Sequence, residues 1–307
     1  MLKPRTLYQC LTAGLLLGFF ACNNNNESKA PEEPDIEYAF ETALTKEGTL
    51  ANEEINEASG LVASRSNVGM FWTHNDSGDT SRIFLFDKEG KNLATYYLNE
   101  LPARDWEDIA LGKGPEEGVH YLYIAEMGDN NAQYDTKHIY RLKEPVWDAE
   151  GEHLVNEVED IQFVYPDGKR DAEALMADPL TGDLWIVSKR EEKNRIYRLP
   201  SPHSLDTVIV AEYYGEIPVH NSNGGDISAN GTEILLKNYD KIFYWPRAEN
   251  QTVAEALLSQ VPQELYYEVE PQGEAIAWDP SGNGFYTLSE ERSNVEAVLY
   301  YYERLDK

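Results

Sequence analysis

The chain has 307 residues, 41% of them hydrophobic, with 55 acidic against 26 basic side chains and a formal net charge of −29. That is apolar material for one large domain or two modest ones. So acidic a surface repels phosphate backbones and anionic lipid faces, which excludes nucleic acid as a partner and general adsorption to membranes, and it suits cations or anions bridged by a cation.

Residues 1–21 read as a signal peptide, with Lys3 and Arg5 as the basic start and an apolar run over 11–20. Without them the formal charge is −31, because they hold two bases and no acid. Phe19-Phe20-Ala21-Cys22 resembles a bacterial lipobox, with Cys22 lipidated as the mature N-terminus; cleavage after Ala21 without lipid is the alternative. Cys10 leaves with the signal, so no internal disulfide is available and stability must come from packing or bound metal. Residues 22–35, with an Asn run and Pro/Glu-rich steps, read as anchor and flexible spacer. The expected location is the bacterial cell envelope, at the outer membrane, the periplasm or the surface, with Cys22 as the sole tie to the bilayer.

Residues 36–307 form the folded domain in this reading. Short β-branched and aromatic stretches alternate with turns, and the single helix candidate is 252–260. One motif recurs five times: Glu57-Ala58-Ser59-Gly60-Leu61, Asp105-Trp106-Glu107-Asp108-Ile109, Asp171-Ala172-Glu173-Ala174-Leu175, Asn223-Gly224-Gly225-Asp226-Ile227 and Gln272-Gly273-Glu274-Ala275-Ile276. Its first positions lie 48, 66, 52 and 49 residues apart. An apolar second strand follows each copy, at 71–73, 121–124, 184–187, 234–236 and 285–288. A third strand opens on a base in four copies, at Arg82, His138, Arg195 and Lys241. Fourth strands are expected at 94–98, 160–165, 208–214 and 265–269.

Four strands per repeat of about fifty residues is the grammar of a propeller blade, which buries its faces only against neighbouring blades. We therefore expect an all-β, five-bladed β-propeller working as a monomer. Residues 36–40 supply the missing last strand, so that the two chain ends pair and close the ring. The long second interval is assigned to a loop over 126–137 and an extra turn over 148–156, with a degenerate sixth blade as the competing count.

In an antiparallel blade, the start of strand one, the end of strand two and the start of strand three share one edge. That edge gathers the acids Glu57, Asp105, Glu107, Asp171, Glu173 and Glu274 around the axis. It also gathers the loop residues His74, Asn75, Asp76, Asp129, Asn130, Lys189 and Lys237, and the outer bases Arg82, Arg195 and Lys241. At about 7 Å and an effective dielectric of about 20, each like-charge pair costs roughly 2 kcal/mol. Backbone N–H groups with Arg104 and Arg170 would neutralise the ring as a clamp between blades; a hard cation such as Ca²⁺ would do so through oxygen ligands; or some carboxyls hold protons, ready for acid–base work. His74 to Gly78 and Gly128 to Asn130 offer a general base or polar ligands, or else are tight turns capping their own backbone. The bases grip an anionic group or pair with nearby acids. Trp106 and Trp185 read as inter-blade core, and no Ser–His–Asp order, phosphate-cradling Gly loop or zinc spacing is present.

Glu57-Ala58-Ser59-Gly60-Leu61, His74-Asn75-Asp76-Ser77-Gly78, Asp105-Trp106-Glu107-Asp108-Ile109-Ala110 and Gly128-Asp129-Asn130 together resemble a family of exported bacterial β-propeller proteins. That resemblance implies the fold and an exported location. More distantly, the acid entering each innermost strand is similar to the hub of calcium-dependent propeller hydrolases, the phytase-like and apyrase-like groups. Asn223, Gly225 and Ser59 depart from that pattern. The expected function is a ligand- or protein-binding module with a small anionic ligand or an envelope protein as partner. Its rival is a Ca²⁺-dependent hydrolase of phosphorylated or other anionic substrates, in which Asp105, Glu107, Asp171, Glu173 and Glu274 hold the metal and Arg82, Lys189, Arg195 and Lys241 orient the anion. A purely structural envelope protein is the third class.

Overall fold

The computed structural model of the protein describes residues 40, 44–99, 101–291 and 295–305. Strand β1 (Thr45–Thr49) comes first and belongs to the last sheet. The first blade follows as β2 (Ala58–Ala63), β3 (Met70–Asn75), β4 (Arg82–Asp87) and β5 (Asn92–Leu98). The second is β6 (Trp106–Lys113), β7 (His120–Glu126), β8 (Lys137–Lys143) and, after β9 (Gly151–Val155), β10 (Glu159–Val164). The third is β11 (Ala172–Ala177), β12 (Leu184–Ser188), β13 (Arg195–Leu199) and, after β14 (Ile209–Val210), β15 (Glu212–Glu216). The fourth is β16 (Gly224–Ile227), β17 (Glu233–Lys237), β18 (Ile242–Pro246) and, after helix α1 (Val253–Ser259), β19 (Gln263–Leu265). The fifth is β20 (Gly273–Trp278), β21 (Gly284–Ser289) and β22 (Val298–Glu303), with β1 on its outer edge.

The inner strands touch in the cyclic order β2, β6, β11, β16, β20 and back to β2, which makes the molecule a five-bladed β-propeller. Five apolar clusters fill the five wedges between blades. Trp106 lies in the wedge between blades one and two, and Trp185 in that between three and four. Blades meet at the hub backbone to backbone, so inner strands need small residues: a Cβ on Gly224 would lie 2.5 Å from the carbonyl oxygen of Glu274. Helix α1 carries the capping box of Thr252 and Glu255, as the 252–260 pattern predicts.

Three expectations are corrected. The ring closes through β1, Thr45–Thr49, where residues 36–40 were expected to supply the strand. Phe40 makes only an isolated bridge to Arg304 and packs between blades four and five, while 36–39 lie outside the described residues. An outermost strand needs backbone partners and no apolar face, so Thr45–Thr49 shows no alternation to betray it. The supposed extra turn over 148–156 holds β9, which crosses back to pair in parallel with β5, and β14 pairs likewise with β10. Each covers the outer edge of the preceding blade. The last strand of blade four ends at Leu265, where 265–269 was expected.

Arg247, after β18, reaches into blade three and makes two contacts with Asp178, at 2.9 and 3.1 Å, with both side chains buried. Removing one member of such a pair leaves the other charge buried alone. Arg247→Ala should cost about 3–5 kcal/mol in urea unfolding; a loss below 1 kcal/mol would show that the wedge does not depend on the pair.

Candidate functional site: an acidic hub divided in two

Four of the five inner strands carry a β-bulge against strand two, and the unpaired residue is the inner-column residue of the repeat. Ala58 pairs with Asn75 and Gly60 with His74, which leaves Ser59 over; Glu173 and Glu274 are left over in the same way, and Glu107 with Asp108 in blade two. A bulge bends the strand and re-aims a side chain. Blade four, with Gly225 in place of an acid, has no bulge. The device is present where the repeat carries an acid or Ser59 and absent where it carries glycine.

The ring acids other than Glu57 converge. Three groups of carboxylates have ligand oxygens within 4.8 Å of one another: Asp76 with Glu274 and Glu290, Asp76 with Asp105 and Glu107, and Glu107 with Asp171 and Glu173. These acidic groups, the third buried throughout and the other two half-buried, can hold a metal ion. Gly128 makes room for them, since a Cβ there would lie 1.9 Å from Glu107 Oε1 and 2.5 Å from the Asp105 carboxyl carbon.

The hub is electrostatically divided. On the side of blades three and four, Lys189 Nζ pairs with Glu173 and donates to Tyr239 Oη at 3.0 Å, and Tyr239 donates to Glu274 Oε1 at 2.6 Å. Arg190 Nε donates to Asp171 Oδ2 at 2.6 Å, and a backbone N–H from Asp129 reaches Asp171 Oδ1 at 2.7 Å. On the side of blades one and two, Asp76, Asp105 and Glu107 make no ion pair among the described residues. Among the described residues no hydrogen bond reaches the Glu107 side chain, which is 3% exposed, and Asp76 Oδ1 is buried without a partner.

Protonation follows the crowding on both sides, since burial pushes even the lysine-paired Glu173 up to about 8. Burial, then Glu274 and Asp105, push Asp76 up to about 7. Burial, then Glu274, push Glu290 up to about 8. Burial and the neighbouring Glu173 and Asp76 hold Glu107 well above the carboxylate range, and Asp105 is raised by burial and then Asp171. Lys189 goes the other way: burial opposes its charge, and Glu173 and Glu274 overcome burial, so the ammonium is retained.

Other predicted residues lie as follows. Glu57 is exposed at the rim, and its carbonyl accepts from the Asp76 N–H at 2.8 Å. His74 is buried against Trp106, its ring neutral because burial lowers it to about 4. Asn75 and Asp129 brace their own turns: Asn75 donates to Glu54 O and Asp79 Oδ2, and Asp129 accepts from Gln133 N, Tyr134 N and Lys137 Nζ. Asn130 accepts from Arg190. Lys237 is buried, donating to Asn238 O at 3.0 Å and to Gly273 O, and burial lowers it to about 8 against the pull of Glu270. The outer bases already face acids: Arg82 meets Asp79 and Glu54, His138 meets Asp160, Arg195 meets Asp167 and Glu216, and Lys241 meets Glu264. Arg104 and Arg170, expected to neutralise the ring, pair instead with Glu126 and with Asp167 and Glu191. Cys22 lies outside the described residues.

The sequence reading passed over Asp108, Asp226 and Tyr239. Asp108 Oδ2 accepts from Leu175 N at 2.9 Å and Asp226 Oδ2 from Trp278 N at 2.8 Å, each tying its blade to the next. The Asp-Ile step shared by the second and fourth repeats was the available signal. Tyr239 carried none, because its role exists only across blades.

No protein-family model matches the chain, and no curated protein matches it significantly in sequence. Among solved structures, it is similar to the PQQ-bound form of an aldose sugar dehydrogenase from Streptomyces coelicolor, with TM-score 0.49 and 11% identity over 85% of this chain and 98% of that one. It is also similar to an auxiliary nutrient binding protein from Bacteroides thetaiotaomicron, with TM-score 0.49 and 10% identity over 85% of this chain and 76% of that one. Likeness this distant carries no argument about ligand or reaction.

Gly128→Ala forces the Glu107 and Asp105 carboxylates aside and should cost about 1–3 kcal/mol in denaturant titration; an unchanged midpoint would mean the acids have room elsewhere. The raised acids also set a pH dependence. Asp76 and Glu290 bind protons more tightly folded than unfolded, where they titrate near 3.8 and 4.5, so their contribution is full at low pH and is lost as pH rises through about 7 and 8. His74 and His203, lowered from 6.5 to about 4, act oppositely, but only below 6.5. Metal-free protein in chelator should therefore melt at progressively lower temperature from pH 6.5 to about 8; a flat or rising Tm over that window contradicts the assignment.

Proposed function

We propose that this propeller is an exported binding module whose axis takes a divalent cation, Ca²⁺ by its chemistry, between Asp76, Asp105 and Glu107. The cation would then present open positions to a small anionic ligand or to an acidic group of an envelope protein. One observation carries the reading: three carboxylates converge and, among the described residues, none of them makes an ion pair. A hard, oxygen-liking ion supplies the missing counter-charge, and Ca²⁺ takes about six to eight oxygens from carboxylates, carbonyls and water. The neutral, buried His74 and the lack of thiols among the described residues argue against a softer metal. Asp76 and Asp105 are only half-buried, which leaves a solvent side for the ligand.

This ligand set keeps Asp105 and Glu107 of the sequence-based set and adds Asp76. Because the outer bases face their own acids, the bridging cation, together with the half-exposed Arg190, is the more favourable contact for an anion. The basic start, the apolar run and Cys22 support export with a lipid anchor, and residues 23–35 would hold the module off the membrane. A second reading, hydrolysis of phosphorylated substrates, draws on Glu290: pushed up to about 8 beside the centre, it is a carboxyl able to exchange a proton near neutral pH.

Thermal unfolding of the protein in chelator and in Ca²⁺ tests the site. An ion at 100 times its Kd adds about 2.7 kcal/mol, so Tm should rise with Ca²⁺ in the wild type and not in Glu107→Gln. Identical curves in chelator and millimolar Ca²⁺ would remove the cation from the account. Ca²⁺-dependent turnover of a phosphate ester, lost in Glu290→Gln, would favour the second reading.

A further inference from the structure

The residue directly after strand two is Asp76, Met127, Lys189, Asn238 or Glu290 in the five blades. Its backbone N–H donates to the first residue of the repeat motif in three of them: Asp76 to Glu57 O, Lys189 to Asp171 O and Glu290 to Gln272 O. Asp76, Lys189 and Glu290 are therefore equivalent positions. Two are acids that belong to metal-capable groups, and the third is a base. The reversal of sign falls beside the third carboxylate triplet, Glu107, Asp171 and Glu173, all three buried.

We infer that the Lys189 ammonium is a tethered stand-in for a second cation at the hub, occupying the place that a divalent ion would take among Glu107, Asp171 and Glu173. This deepens the proposed function and rests on it only for the kind of ion. Lys189 is 3% exposed, pairs with Glu173 and is held by Tyr239, which is in turn bonded to Glu274. Glu107, equally buried and with no side-chain hydrogen bond among the described residues, belongs both to this triplet and to the one proposed for the ion. The charges agree with the assignment. Arg190 meets Asp171 and lies 3.6 Å from Glu173, so without Lys189 the triplet, once all three carboxylates ionise to hold an ion, and this guanidinium carry two net negative charges. That is the complement of a divalent ion, and the short reach of a lysine keeps it out. Lys189 thus fixes the number of ions bound and leaves the free cation to the side of Asp76.

The test counts Ca²⁺ bound per full chain, by equilibrium dialysis or native mass spectrometry, in the wild type, Lys189→Gln and Lys189→Arg. The expected counts are one, two and one. Equal counts in the wild type and Lys189→Gln overturn the inference while leaving the Asp76 site standing. A count of none in the wild type and one in Lys189→Gln upholds the inference and removes the Asp76 site. If Lys189→Gln unfolds in chelator, millimolar Ca²⁺ should restore its folded spectrum with two ions bound; failure to restore it overturns the inference.

Discussion

Like charge crowded around a narrow axis is the condition to which the rest of this molecule is fitted. Five inner strands converge there because blades can bury their apolar faces only against one another. The acids come with those strands. Every feature of the hub then concerns how negative charge is held at short range: the bulges that turn Glu107, Glu173 and Glu274 inward, the glycine at 128 that clears space, and the lysine and arginine that enter from blade three.

The solution is unequal around the ring. Blades three and four meet the charge with covalently supplied bases and a tyrosine link, and blades one and two leave it open. A buried carboxylate left without partners either takes a proton or recruits a counter-ion. The two outcomes compete for the same oxygens, which couples ion binding at this hub to pH. Deeper along the axis, Asp108 and Asp226 meet the constraint in a third way, by accepting backbone N–H groups from the next blade. A hydrogen-bonded carboxylate there ties blade to blade and leaves no free valence for chemistry.

Charge at the rim tells a different story from charge at the hub. Arg82, His138, Arg195 and Lys241 recur at the start of strand three because acids on adjoining turns or on strand four lie within reach of them. A repeated base is thus a feature of blade construction, and exposed pairs of this kind contribute little energy. Repetition in sequence marks what every blade needs; the singular residues, such as Lys189 and Tyr239, mark what one sector of the ring does differently.

The sequence by itself determined the blade grammar, the count of five and the meeting of its acids at one end of the axis, because these follow from periodicity and strand direction, which are local. It also held the turn reading of Asp129, whose carboxylate accepts from backbone N–H groups four and five residues on, and the local contact of Asn75 with the Asp79 side chain. Only the tertiary structure decided which acids lie together and which bases reach them. Asp76 meets Asp105 and Glu107 across a blade boundary, Lys189 reaches Tyr239 fifty residues on, and Arg104 turns to Glu126 on β7 and Arg170 to Asp167 and Glu191. The closing strand was hidden for a related reason: Thr45–Thr49 is held by backbone pairing to the far end of the chain, and such pairing leaves no mark on side-chain pattern. Partners brought within a few ångströms by the closing of a ring are set by geometry across blades, and no spacing along the chain encodes that.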